Sequence, residues 1–161
     1  MRVIIDNDLN GDPDGLFQVV QHLMSPSVEI RGIVGGHLGK DGRGFTDDGS
    51  GQPCAVQAAK KAQEILEIMG MTDDVPVAVG AVAPMEKADE AKDSEGAQLI
   101  IREAMRTDVK TPLYVVCGAS LTNIASAWLL EPRIAEHLTV VWIGGQEYAN
   151  GSIVPPGYSM P

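Results

Sequence analysis

Cysteine is scarce in this chain, basic residues are outnumbered, and no apolar run is long. Each shortage removes a class of protein. Two cysteines, Cys54 and Cys117, cannot form a disulfide framework in 161 residues, and nothing in their placement points to an oxidising compartment. Cys117 closes an apolar run and reads as a buried thiol. Twelve lysines and arginines stand against 22 aspartates and glutamates, a net charge of −10. Nucleic acid and anionic membrane are thereby excluded as main partners, because either would need a basic patch. A small neutral component of a nucleic acid stays open as a ligand. No apolar run approaches the roughly 20 residues of a membrane-spanning helix. The first apolar run begins within three residues of Met1, so no signal peptide is visible. A cytoplasmic protein is the expectation, with a secreted or periplasmic one left open. No repeat or low-complexity linker divides the chain. Hydrophobic residues make up 44%, enough for one soluble domain with a real core.

What is present is a regular alternation of strand and helix signals. Val3-Ile4-Ile5 reads as a buried first strand. Leu16, Phe17, Val19, Val20, Leu23 and Met24 make a helical stripe over 14–24, and Ser25-Pro26-Ser27 stops it. The run at 28–34 is a second strand, so the three elements form a βαβ unit with parallel pairing. A helix over 53–69 with Gly70 as its cap follows, then a strand at 75–79 and an irregular link over 80–93. A helix from Ser94 to about Met105, a strand at 112–117, a helix over 121–130 and a strand at 138–143 complete the pattern. The expected fold is α/β, a mostly parallel open sheet of at least five strands with flanking helices. Residues 35–52 form a long glycine-rich loop leaving the second strand. Such loops are functional or disordered, and both readings stand for its middle. His37 is the titratable ring nearest the strand end.

The stretch at 6–15, Asp6-Asn7-Asp8-Leu9-Asn10-Gly11-Asp12-Pro13-Asp14-Gly15, carries four aspartates in nine residues. It follows the first strand and precedes the first helix, the edge where open α/β sheets bind ligands. Carboxylates that crowded need a cation or shifted pKa values. All-oxygen ligands favour Ca²⁺, with Mg²⁺ second. A solvated acidic loop is the plain alternative. Asp6-x-Asp8-x-Asn10-Gly11 starts like an EF-hand loop, but Phe17 stands where that loop needs Glu. An aspartyl-nucleophile phosphatase shares the Asp6-x-Asp8 spacing and little else.

More of the chain fits a third pattern. The acidic strand–turn–helix, the Val-Gly-Gly after the second strand, Leu121-Thr122-Asn123-Ile124-Ala125, Glu131-Pro132-Arg133-Ile134 and Ile143-Gly144-Gly145 together resemble the inosine–uridine-preferring nucleoside hydrolase family. The family's opening Asp-x-Asp-Pro-Gly-x-Asp-Asp-Ala appears in a form two residues longer. The resemblance runs over residues 1–161 as a single domain and covers the amino-terminal half or so of a typical member, so a carboxyl-terminal part is expected to be lacking.

That resemblance implies hydrolysis of a ribonucleoside to ribose and base with a Ca²⁺-bound water. By position, Asp8 would ligate the metal, as would the backbone carbonyl at Gly118. Asp14 would match the first of the paired aspartates, the proposed general base, with a helix cap as its plain alternative. Gly15 stands where the second of the pair, a metal ligand, is expected, and Asp12 is the candidate replacement. Asp6, Asp12, His37 and Asn123 are the candidate substrate contacts. The family's later histidine and last calcium aspartate lie beyond Pro161. The implied partner is a small-molecule nucleoside, with a homo-oligomer or a companion carboxyl-terminal chain expected. A catalytically incomplete fragment or subunit that binds a sugar-like ligand is the alternative.

Overall fold

A computed structural model describes residues 1–11, 13–39 and 49–143. The strands are β1 (Arg2–Asn7), β2 (Glu29–Gly35), β3 (Val77–Val79), β4 (Leu113–Cys117) and β5 (Leu138–Trp142). The helices are α1 (Asp14–Leu23), α2 (Cys54–Met69), α3 (Glu95–Ala104) and α4 (Thr122–Leu130), with a short 3₁₀ helix at Pro132–Glu136. The sheet is parallel throughout in the order β3-β2-β1-β4-β5. The expected α/β fold is therefore present.

The order matters more than the count. From β1 the chain winds outward through β2 to β3, then returns to the other side of β1 for β4 and β5. The winding reverses between β1 and β4, and the crevice outside such a reversal is where doubly wound sheets bind ligands. The register brings the strand ends into one row. Gly35 pairs with Asn7 and Val79, and Cys117 pairs with Asp6 and Trp142.

Strand alternation divides the core in two. Ile4, Val34, Val115 and Cys117 face α3, α4 and the 3₁₀ helix, packing on Leu99, Ile100, Ile124 and Ile134. Val3, Ile5 and Ile33 face α1 and α2, packing on Val19, Ala58, Ala62 and Leu66. Small residues let α2 approach closely: a Cβ at Gly35 would lie 2.2 Å from the Ala55 carbonyl oxygen. Gly70 ends α2 with φ +69°, the left-handed cap expected of it.

Three features go beyond the sequence reading. β3 starts at Val77 because Pro76 has no N–H for the ladder; its carbonyl still accepts from Ile33 N–H at 3.0 Å. The 3₁₀ helix was not foreseen. It starts on Pro132, and the Glu131 side chain accepts from the Arg133 N–H. β5 forms as expected, but it is not a core strand: Val140, Val141 and Trp142 are all exposed. Both faces of an edge strand depend on neighbours that a period-2 or all-apolar pattern does not reveal.

At the opposite end of the sheet, Glu103 of α3 is buried with Arg2. Arg31 grips it with two hydrogen bonds, Nε to Oε2 at 3.0 Å and Nη2 to Oε1 at 3.1 Å. Arg2 reaches the Glu103 carbonyl at 2.8 Å and Arg106 approaches Oε1 at 3.5 Å. Burial alone would push the Glu103 carboxyl upward; the hydrogen bond and charge of Arg31, then Arg106 and Arg2, outweigh it and hold the carboxyl below its ordinary value. Stability from this group is therefore complete above the ordinary glutamate pKa of about 4.3 and is lost as pH falls through the depressed folded value. Glu103→Gln should cost about 3 kcal/mol at pH 7, since it leaves Arg2 buried without its carboxylate. Urea unfolding of the two proteins should converge below pH 4; a constant gap from pH 7 to pH 3 would contradict the assignment.

Candidate active site

The site forms where β1 ends. Asp6 follows Ile4 on the α4 side of the sheet, and its side chain is wholly buried. Its Oδ1 accepts from Asn123 Nδ2 at 3.0 Å, while Oδ2 has no hydrogen-bond partner among the described residues. Burial pushes this carboxyl up to about 7 against the opposing pull of Asn123. Burial and the nearby Asp6 charge likewise push the Cys117 thiol up.

Asn7 turns the other way, toward α1. Its Nδ2 donates to Gln18 Oε1 at 2.7 Å and its Oδ1 accepts from the Asp8 N–H at 2.8 Å. This side chain explains Gly15. A Cβ there would lie 3.0 Å from Asn7 Nδ2 and 3.3 Å from Leu9 Cδ2. The position that resemblance assigns to a metal-binding aspartate is buried against Asn7 and Leu9, and a carboxylate there would require both to move.

Asp8 is buried and its carboxylate folds back over Gly11, where a Cβ would meet Oδ2 at 2.2 Å. The Asn10 side chain donates to Gln57 of α2, and Gln57 donates to the Gln52 carbonyl at 2.7 Å. The acidic turn is thus anchored to both α1 and α2. Asp12 lies outside the described residues. Asp14 is exposed in the first turn of α1, where negative charge suits the helix dipole. Pro13, not Asp14, holds the cap position, and Asp14 Oδ1 accepts from the adjacent Gly15 N–H at 2.8 Å.

The loops after β2 and β4 meet above β1. Gly36 N–H donates to the Asn7 carbonyl at 2.8 Å, and Gly118 N–H to the Asp6 carbonyl at 2.9 Å. His37 is only 1% exposed. Its Nε2 lies 2.9 Å from Thr122 Oγ1 and 3.0 Å from Ser120 Oγ. Burial pushes the ring below its ordinary pKa, partly offset by the backbone of Leu38 and Gly39. His37 is therefore neutral at pH 7, and of the three side chains Ser120 alone is half-buried rather than buried. The indole N–H of Trp142 donates to the Ala119 carbonyl at 3.0 Å, fixing the turn that carries Gly118.

Asn123, at the first turn of α4, is buried completely. Its Oδ1 accepts from Ala81 N–H at 2.7 Å, and Gly80 makes room for it: a Cβ on Gly80 would lie 2.4 Å from Asn123 Nδ2 and 2.6 Å from the Gly35 carbonyl oxygen.

The family model for inosine-uridine preferring nucleoside hydrolases matches residues 3–157. The chain belongs to that family. No curated protein matches it. Nucleoside hydrolases are generally metal-dependent, often on Ca²⁺, and the site can be tested for that on its own atoms. Two features fit a hard cation: the carboxylate and backbone oxygens at the end of β1, and a buried Asp6 oxygen that no hydrogen-bond donor reaches among the described residues. Among the described residues no three His, Cys, Asp or Glu side chains cluster closely enough to hold a metal alone. A complete set would draw on backbone oxygen or on Asp12.

The structure thus gathers Asp6, Asp8, His37, Gly118 and Asn123 around the ends of β1, β2 and β4. It sets Asp14 apart on the exposed start of α1. Sequence reading missed Asn7, Gln18, Gln57, Ser120 and Thr122 as the residues that hold the others. Only Thr122 carried a signal, as the centre of the Leu-Thr-Asn segment. Gly80→Ala should destabilise the fold by about 1–3 kcal/mol, the usual cost of overpacking, because backbone at Gly35 blocks any relief. Urea unfolding measures it, and unchanged stability would show that the Asn123 packing is looser than described.

Proposed function

We infer that this chain hydrolyses the N-glycosidic bond of a ribonucleoside to give ribose and free base. The observation that carries the reading is the buried pair of aspartates, Asp6 and Asp8, at the sheet's winding reversal in a member of a nucleoside hydrolase family. Membership favours a hydrolase over a subunit that only binds a sugar-like ligand.

Asp8, Asp12 and the backbone oxygen at Gly118 would hold a calcium ion, with magnesium the second choice. Such an ion supplies a more acidic water and an anchor for hydroxyl oxygens. Asp14 is the proton acceptor. Its exposed carboxylate is open to solvent at the same end of the sheet, and a base must come within about 3 Å of the proton it takes. The transition state carries positive charge on the ribosyl ring, by analogy with other glycosides. Asp8, and Asp6 when ionised, place negative potential beside that charge where water is largely excluded and the potential acts strongly. Ser120, steadied by His37, presents a hydroxyl to the same space.

Ribose release should be measured from a panel of ribonucleosides in calcium and in excess chelator. Turnover that survives chelation would sink the metal assignment, and no turnover on any nucleoside in calcium would sink the hydrolase reading. Asp14→Asn should lower kcat by about 10²- to 10⁴-fold, the range for losing a general base, while calorimetric Ca²⁺ binding persists. Near-normal kcat in that variant would move the base role elsewhere in the acidic turn.

A further inference from the structure

Asn123 has the sequence placement of a substrate contact, yet its surroundings leave it nothing to contact with. It is 0% exposed. Ala81 N–H is a donor only, so the atom facing it at 2.7 Å must be the amide oxygen. That fixes the amide's orientation. Nδ2 is then turned to Asp6 Oδ1 at 3.0 Å. The Ser94 hydroxyl, which also caps α3 through Ala97 N–H at 3.1 Å, donates to Oδ1 at 3.4 Å. Both ends of the amide are spent on protein.

The consequence falls on Asp6. A carboxylate on a strand has a nearly free terminal torsion. Here one oxygen is tied by Asn123 and the other, Oδ2, is buried with no hydrogen-bond partner among the described residues. We propose that Asn123 is a positioning residue that never touches the substrate and that selects which Asp6 oxygen is offered to the site. The proposal rests on the hydrolase reading for its kinetic consequence and on the hydrogen bonds alone for its geometry. The same amide joins four pieces of chain: the end of β1, the turn after β3, the cap of α3 and the start of α4. Gly80 must lack a side chain for this to happen. A purely structural asparagine would need the Ala81 bond but not the one to Asp6.

The test is a cycle on the full chain. Asn123→Asp keeps the acceptor for Ala81 and sets a second carboxyl against Asp6 in place of the amide donor. It should lower kcat about 10- to 100-fold, the usual effect of losing a partner that orients a functional group, with KM unchanged. In an Asp6→Asn background the same substitution should cost nothing further, because the group it orients is already gone. The core variant Ile100→Val, lowered in stability, should keep its kcat and so separate positioning from destabilisation. The side-chain amide resonances of Asn123 should shift on Asp6→Asn, a readout that needs no activity and no Asn123 variant. A rise in KM at constant kcat, an equal loss in the Asp6→Asn background, or unmoved amide resonances would each overturn the proposal. Resonances that move on Asp6→Asn, together with a wild-type protein that hydrolyses no nucleoside, would refute the hydrolase reading while sustaining the Asn123–Asp6 positioning contact.

Discussion

Burying the Asp6 carboxylate at the end of a central strand is the constraint on which the rest of the site depends. A lone carboxylate in that position is costly when ionised. One neutral hydrogen bond, from Asn123, offsets part of the cost, and burial still pushes the carboxyl up to about 7. Nearly every local feature of the sheet edge serves that arrangement. Gly80 and Gly36 lack side chains beside it; a Cβ on Gly36 would sit 3.0 Å from Asp6 Oδ1. The backbone N–H groups of Gly36 and Gly118 tie the flanking loops to the Asn7 and Asp6 carbonyls. The Asp6 Oδ2 oxygen, which no donor reaches among the described residues, is prepared to meet positive charge or a donor.

The two ends of the sheet handle buried charge in opposite ways. At the far end Glu103 is surrounded by Arg2, Arg31 and Arg106, and its carboxyl is held ionised. At the near end no cationic side chain stands beside Asp6 among the described residues, and its carboxyl is pushed upward. The first arrangement is closed: donors and acceptors are matched and nothing is left to bind. The second is open. An acidic chain with few basic residues has placed three of its arginines where they lock the frame, and among the described residues none stands beside Asp6.

Much of the frame was legible because parallel strands buried on both faces read as continuous apolar runs. Val3-Ile4-Ile5 and Leu113 to Cys117 are unmistakable on that rule. The limits were physical. Pro76 shortened β3 through its missing N–H, a one-residue effect inside an apolar run. The exposure of β5 was invisible, since an apolar run does not state what covers it. At the site, the aspartates of the turn announced themselves by crowding. The residues that hold them did not. Asn7, Gln57 and Thr122 matter through contacts with chain far away in sequence, and His37 sits 85 residues from the Thr122 hydroxyl that engages it.

The separation of Asp6 from Asp14 follows from geometry that period-2 alternation imposes at once. Asp6 is on β1 and shares the α4 face with Ile4; Asn7 takes the α1 face; Asp8 follows on the turn. Asp14 lies beyond the turn on a helix, where it is exposed. The four aspartates therefore cannot be equivalent, even though the sequence writes them close together. A buried one can hold or orient, because its environment is fixed and it exchanges protons poorly with water. An exposed one can accept a proton and return it to solvent. Gly15 sharpens the division: by packing against Asn7 it closes the α1 side of the turn to any further carboxylate at that position. Asp12, in the inserted residues ahead of the helix, is the carboxylate of this stretch that lies outside the described residues.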